Sequence, residues 1–100
     1  MNVYSDQDII KGRLKNELVH NLPVLRTRLG VSQKELAEKI GISRQTYNVI
    51  ENGKKEMNWP IFLSLTAIFQ NNAETNTMLK NMSGFEDDLQ RMLGASEESK

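Results

Sequence analysis

Only two residues, Gly41 and Ile42, separate two short segments that both carry strong signals for the start of a helix. The first segment begins at Ser32 with SQKE, a capping box in which the serine and the glutamate each satisfy a free backbone amide. Glycine at position 41 is a natural left-handed terminator, and Ser43 is a good cap for the next helix. A joint this short prevents an antiparallel arrangement, so we expect the two helices to cross steeply.

The rest of the chain also has the pattern of α-helices. Apolar residues recur at helical spacing, whereas strict alternation and an internal repeat are both absent from the sequence. We expect a first helix over residues 6–20 and a new helix capped by Asn21, because Pro23 is tolerated in a first turn. Cap residues place the later helix starts at Asn58, at about Ala73 and at Ser83, which opens a second capping box, SGFE.

The composition is that of an ordinary globular chain without the usual groups for catalysis. A chain of one hundred residues is expected to fold around a single core, and 38% of the residues are apolar. The sequence has no cysteine, one histidine and no glycine-rich phosphate loop, so we expect no enzyme activity, no cofactor and no metal site. We interpret His20 as a solvated helix residue. The N-terminus lacks a basic leader and no stretch has the roughly 18 apolar residues of a membrane span, so we expect a cytoplasmic protein.

Charge is zero overall but unevenly distributed. Residues 11–55 carry ten Lys and Arg against four Glu, and residues 56–100 carry seven acids against three bases. A basic segment between acidic ends favours a nucleic-acid partner more than the net charge does. Net neutrality predicts a modest nonspecific affinity for DNA.

The helix that follows Ser43 has two faces of different chemistry. One arc contains Ser43, Thr46, Tyr47 and Ile50. The opposite arc contains Arg44, Gln45, Asn48 and Val49. We expect the first arc to pack and the second to face outward, where arginine matches guanine and the amides match adenine in the DNA major groove. These residue types are also common on solvated helix faces, so the face alone leaves both interpretations open.

The surrounding pattern favours DNA reading. From Leu25 to Lys54 the sequence resembles the helix-turn-helix of the phage-repressor (Cro and XRE-like) family, and the likeness extends over about residues 22–69. The positions that match the family's pattern are Arg26, Gly30, Gln33, Glu35, Leu36, Ala37, Gly41, Ile42, Ser43, Ile50, Glu51, Asn52 and Gly53. The resemblance implies an all-α fold, a compact five-helix repressor-like DNA-binding bundle. An extra N-terminal helix and a C-terminal helical extension would be additions to it.

The resemblance also implies roles for individual residues in and beside this segment. The implied base contacts are Arg44, Gln45, Asn48 and Val49, the last against a thymine methyl group. The implied DNA-backbone contacts are Gln33, Ser43, Thr46, Tyr47, Asn52, Lys54 and Lys55. Helix-start amides near Gln33 would assist it. Arg26 and Glu51 are implied to form a partly buried ion pair that fixes the angle of the helix that reads DNA.

Several of these roles have a structural alternative. Lys54 and Lys55 fit a solvated loop as well as a phosphate contact, and Thr46 either reaches a phosphate or packs. Tyr47 stands where a small aliphatic residue is usual in the family, so its ring belongs either to the core or to a phosphate contact. Arg26 and Glu51 would otherwise be unpaired surface charges.

We divide the chain into four parts. Residues 1–20 are predicted to form an N-terminal helical arm, and 21–72 the helix-turn-helix DNA-binding domain. Residues 73–94 are predicted to form C-terminal helices, and 95–100 a disordered tail. The apolar rows of the C-terminal helices either close the core or build a dimer, and the dimerisation candidates are Met78, Leu79, Met82, Phe85, Leu89, Met92 and Leu93.

These observations predict a sequence-specific DNA-binding transcription regulator, most often a repressor in this family. It would insert the helix Arg44–Asn52 into the major groove of double-stranded DNA. Because so small a domain touches few base pairs, useful specificity implies a homodimer on a palindrome. The alternative is an antitoxin or another module that binds a protein partner, with DNA binding secondary.

Overall fold

Six α-helices make up most of residues 5–94, the part of the chain that the computed structural model describes. They are α1 (Asp6–Leu29), α2 (Gln33–Ile40), α3 (Arg44–Glu51), α4 (Trp59–Gln70), α5 (Ala73–Asn81) and α6 (Phe85–Leu93). No strand occurs in this range, so the prediction of an all-α fold is confirmed. The predicted disordered tail and the first four residues of the predicted arm lie outside the described residues. None of the six helices is both long enough and apolar enough to cross a membrane.

The first helix is longer than the sequence pattern predicts. α1 runs unbroken through Asn21 and Pro23, so the predicted helix break is wrong and the boundary drawn after residue 20 falls inside a helix. Proline in a helix interior costs about 3 kcal/mol or more because it removes an N–H and crowds the preceding turn. The buried face of α1 consists of Leu14, Leu18, Leu22 and Leu25. Each buried leucine contributes about 1.5–3 kcal/mol, which offsets the proline, whose own side chain is exposed.

Side-chain caps define most of the helix starts. The Ser32 hydroxyl accepts from the Glu35 amide at 3.0 Å, and the Glu35 carboxylate accepts from the Ser32 amide at 2.8 Å, so the predicted capping box is present. α6 differs, because its cap is Gly84, at φ 77°, with no side-chain hydrogen bond. The capping box predicted at Ser83 is therefore wrong. The left-handed glycine starts the helix one residue later and leaves Ser83 before the cap position.

The core is built around α1, which packs against α3, α4, α5 and α6. Leu79, Phe85 and Leu89, from α5 and α6, are 0%, 1% and 5% exposed and belong to this core. Their prediction as dimerisation residues is wrong, because their surfaces are already covered within one molecule. The other dimerisation candidates are Met78, Met82 and Met92, which pack partly against the core, and Leu93, which is 50% exposed.

Candidate nucleic-acid interface

The turn between α2 and α3 holds the two helices together. Gly41 has a φ of 80°, a conformation that residues with side chains rarely adopt. The Ile42 amide donates to the Ala37 carbonyl at 3.0 Å, which closes the end of α2. Ala37 is buried in the core, and α2 and α3 pack against each other. Ser43 then caps α3 by accepting from the Thr46 amide at 3.0 Å.

α3 has one buried face and one outward face. Tyr47 and Ile50 are 0% and 1% exposed and anchor the helix in the core. The predicted base contacts lie on the other side, with the first two exposed and the last two half-buried: Arg44, Gln45, Asn48 and Val49. These four side chains line one surface depression of about 380 Å³. The structure thus brings the predicted base-contacting residues together.

Arg26 and Glu51 connect the end of α1 to the end of α3. Arg26 Nε donates to Glu51 Oε1 at 3.1 Å and Arg26 Nη2 donates to Oε2 at 3.2 Å, a two-pronged contact. Arg26 Nη1 also donates to the Val31 carbonyl at 3.2 Å. The Glu51 side chain is only 6% exposed, and this burial is the largest single influence and acts to raise its pKa. The hydrogen bonds and the charge of Arg26, together with the hydrogen bond from Gln33 and other polar neighbours, outweigh burial and lower the pKa. The buried carboxylate is therefore ionised and paired.

Three side-chain amides continue from this ion pair to the outward face of α3. Gln33 Nε2 donates to Glu51 Oε2 at 3.3 Å. Asn48 Nδ2 donates to Gln33 Oε1 at 3.1 Å, and Asn52 Nδ2 donates to Asn48 Oδ1 at 3.2 Å. We call Gln33, Asn48 and Asn52 the amide chain. It joins the start of α2 to the middle and the end of α3.

Tyr47 belongs to the core. Its side chain is fully buried, so the prediction that it contacts the DNA backbone is wrong. Burial, and then the neighbouring Glu51 carboxylate, raise the pKa of the Tyr47 hydroxyl. The hydroxyl makes no hydrogen bond within residues 5–94. The ring thus fills buried space beside the ion pair, at a position where a small aliphatic residue is usual in the family.

Comparison with known families agrees with this geometry. The helix-turn-helix family model matches residues 25–57, which include the end of α1, all of α2 and α3, and the loop that follows. This match supports a helix-turn-helix similar to that of the Cro and XRE-like family in residues 25–57. No curated protein and no solved structure matches the chain. The helix-turn-helix indicates a DNA-binding transcription regulator.

The other predicted backbone contacts of the helix-turn-helix surround α3. Ser43 Oγ donates to Thr46 Oγ1 at 2.9 Å at the start of the helix, where Ser43 is exposed and Thr46 half-buried. Lys54 and Lys55 are exposed in the loop after α3, and their backbone amides donate to the Val49 carbonyl at 2.9 and 3.2 Å. These bonds hold the loop close to the helix and leave both ammonium groups in solvent.

Sequence reasoning missed how the polar residues of the helix-turn-helix bond to one another. The four-residue spacing of Asn48 and Asn52 was a usable signal, because residues so spaced are neighbours on a helix. Gln33 lies in a different helix from Asn48 and Glu51, and no local pattern indicates that it bonds to both. It was assigned only to a phosphate, whereas its side chain lies half-buried between the two helices.

Proposed function

We propose that this helix-turn-helix protein is a sequence-specific repressor that inserts α3 into the major groove of its operator. The observation that carries the proposal is the outward face of α3, where an arginine, two amides and a valine share one depression. The opposite face is fixed in the core, and the Arg26 and Glu51 pair fixes the end of the helix. A rigid support of this kind lets side chains discriminate between bases without a large ordering cost.

The chemistry of each proposed base contact follows from its functional groups. Arg44 donates two parallel hydrogen bonds to O6 and N7 of guanine, and Gln45 and Asn48 each offer a donor and an acceptor to adenine. Val49 offers an apolar contact to a thymine methyl. A good bidentate pair discriminates against the wrong base by about 1–3 kcal/mol.

Contacts to the phosphate backbone would set the register of α3 in the groove. Gln33 lies at the start of α2, and Ser43 and Thr46 lie at the start of α3, where free amides and the helix dipole favour phosphate. Asn52, Lys54 and Lys55 lie beyond the other end of α3. Contacts at both ends of the helix position it, while the base contacts supply the sequence information.

We further propose that two copies bind a palindrome with half-sites about 34 Å apart. Three of the original dimerisation candidates are buried in the core, so the remaining ones are Met78, Met82, Met92 and Leu93. By occupying a site that overlaps a promoter, such a dimer would repress transcription.

Selection from a random duplex pool tests the proposal. The wild-type protein is expected to enrich a two-fold motif, and Arg44→Ala and Gln45→Ala are each expected to relax one position per half-site. Arg91→Ala and Gln90→Ala are matched controls, because both residues are exposed on α6, and they should enrich the wild-type motif. An unenriched wild-type pool would contradict DNA reading and favour the protein-partner alternative.

A further inference from the structure

The direction of the amide chain is dictated by one residue. Glu51 is a buried carboxylate paired with Arg26, and an ionised carboxylate only accepts hydrogen bonds. Gln33 must therefore turn its NH₂ group toward Glu51 and its Oε1 toward Asn48. Asn48 must then give an N–H to Gln33, which leaves its Oδ1 to accept from Asn52. The observed hydrogen bonds follow this order at every step.

We propose that Gln33 is a positioning residue for base recognition. By accepting a hydrogen bond from Asn48 Nδ2, Gln33 fixes the orientation of the Asn48 carboxamide and so limits the base pairs that Asn48 can bind. This inference rests on the proposed base-reading role of Asn48. A carboxamide has nearly the same shape after a half-turn about its last torsion, and that torsion is soft. An unrestrained asparagine therefore offers a donor or an acceptor at the same point in the groove.

Bonds within the protein leave Asn48 with half of its hydrogen-bonding capacity. A carboxamide has two N–H donors and two lone pairs. One donor is used on Gln33 and one lone pair on Asn52. One donor and one acceptor remain, the set that N7 and N6 of adenine require in the major groove. The amide chain thus presents this set in one order, whereas loss of Gln33 allows both orders.

A positioning role differs measurably from the phosphate contact implied by the family resemblance. Phosphate contacts carry no direct sequence information, so their loss weakens binding to all sequences about equally. Loss of a positioning residue changes the preference at one base pair and leaves the preferences at other positions intact. Affinity and base preference, measured on the same variant, therefore separate the two roles.

Selection from a random duplex pool with Gln33→Ala, followed by titration of single-base variants of the selected site, tests the specificity. We expect Gln33→Ala to lose at least about fivefold of the preference at one base pair per half-site, the lower end of what a bidentate contact contributes. The control is Lys34→Ala, since Lys34 is the next residue of α2, is 71% exposed and pairs with Glu38. It should keep every wild-type preference. A Gln33→Ala protein that binds more weakly but keeps all preferences would overturn the positioning role.

The orientation of Asn48 is measured without DNA, by the nitrogen-15 spectrum of its side-chain amide. In the wild type we expect two well-separated N–H signals with slow solvent exchange, and in Gln33→Ala we expect them to move to the values of a free amide. Circular dichroism should show unchanged helix content, because alanine favours a helix. Identical Asn48 signals in the two proteins would overturn the inference even where DNA binding is intact. A wild type that selects no motif would instead refute the proposed function, and the specificity role of Gln33 with it, while the spectrum still decides the orientation.

Discussion

α3 and α6 are both short helices packed on α1, and each has an ion pair to α1, but the two pairs differ in their burial and in what continues from them. α3 is joined to its neighbours by a two-pronged ion pair whose carboxylate is 6% exposed, and by the hydrogen bonds of the amide chain. α6 is held by buried Phe85 and Leu89 and by a two-pronged ion pair of its own, in which Arg13 Nε and Nη2 donate to Asp88 Oδ2 and Oδ1 at 2.9 and 2.8 Å. Arg13 is 54% exposed, whereas Arg26 is 19% exposed. The two helices thus differ in the burial of the arginine and in the amide chain, which continues only from the pair under α3.

This difference has a functional meaning. The free energy gained from apolar packing is roughly proportional to the buried area and depends little on direction. Apolar packing therefore stabilises a helix without closely fixing its rotation about its own axis. Hydrogen bonds and two-pronged ion pairs depend steeply on angle and distance. Both helices have one such ion pair to α1, and the helix proposed to read bases adds the hydrogen bonds of the amide chain to it.

The largest expected effect comes from breaking the ion pair under α3. Arg26→Ala leaves the Glu51 carboxylate buried without its partner, and loss of one member of a buried pair costs about 3–5 kcal/mol. We expect the free energy of unfolding, measured with urea, to fall by this amount. Arg13→Ala is the comparison in α1, because its pair with Asp88 is also two-pronged but its arginine is 54% exposed, so we expect a smaller shift of the urea midpoint. Equal losses in the two variants would contradict the distinction between α3 and α6.

The next expected effect is a slightly smaller loss of stability, and it compares a buried with an exposed leucine of the C-terminal helices. Leu79→Ala should lower the free energy of unfolding by about 2–5 kcal/mol, because Leu79 is fully buried and its truncation leaves a cavity. Leu93→Ala should leave monomer stability almost unchanged, since Leu93 is half exposed. Sedimentation equilibrium of Leu93→Ala, compared with the wild type, then shows whether this exposed leucine contributes to a dimer. A large stability loss in Leu93→Ala would contradict the burial seen here.

Local sequence signals predicted the region around the joint well. The capping box at Ser32, the terminator Gly41 and the cap at Ser43 all act through hydrogen bonds between residues close in the chain, so the sequence contains the whole interaction. The two faces of α3 follow from helical periodicity in the same way, as the burial of Tyr47 and Ile50 shows. These signals sufficed to place the four proposed base contacts in one depression.

Among interactions between distant residues, the Arg26 and Glu51 pair was implied by the family resemblance, but other such interactions were predicted poorly. Pro23 was expected to start a helix, because the sequence does not show that four leucines hold α1 against the core on both sides of it. The sequence does not decide whether Tyr47 packs in the core or contacts a phosphate, because only the packed structure shows that there is room for its ring. Gln33 bonds to residues 15 and 18 positions away in another helix, a separation at which no sequence pattern applies.

The smallest expected effect compares two serines that precede helices. Ser32→Ala removes the acceptor of the Glu35 amide at the start of α2, and loss of such a cap costs about 0.5–2 kcal/mol. Ser83→Ala should change the free energy of unfolding by much less, because Gly84 is the cap of α6 and no side chain bonds to its free amides. Thermal and urea unfolding of both variants measures the difference. Equal destabilisation would mean that Ser83 caps α6 after all, and α6 would then have the side-chain cap that α2 and α3 have.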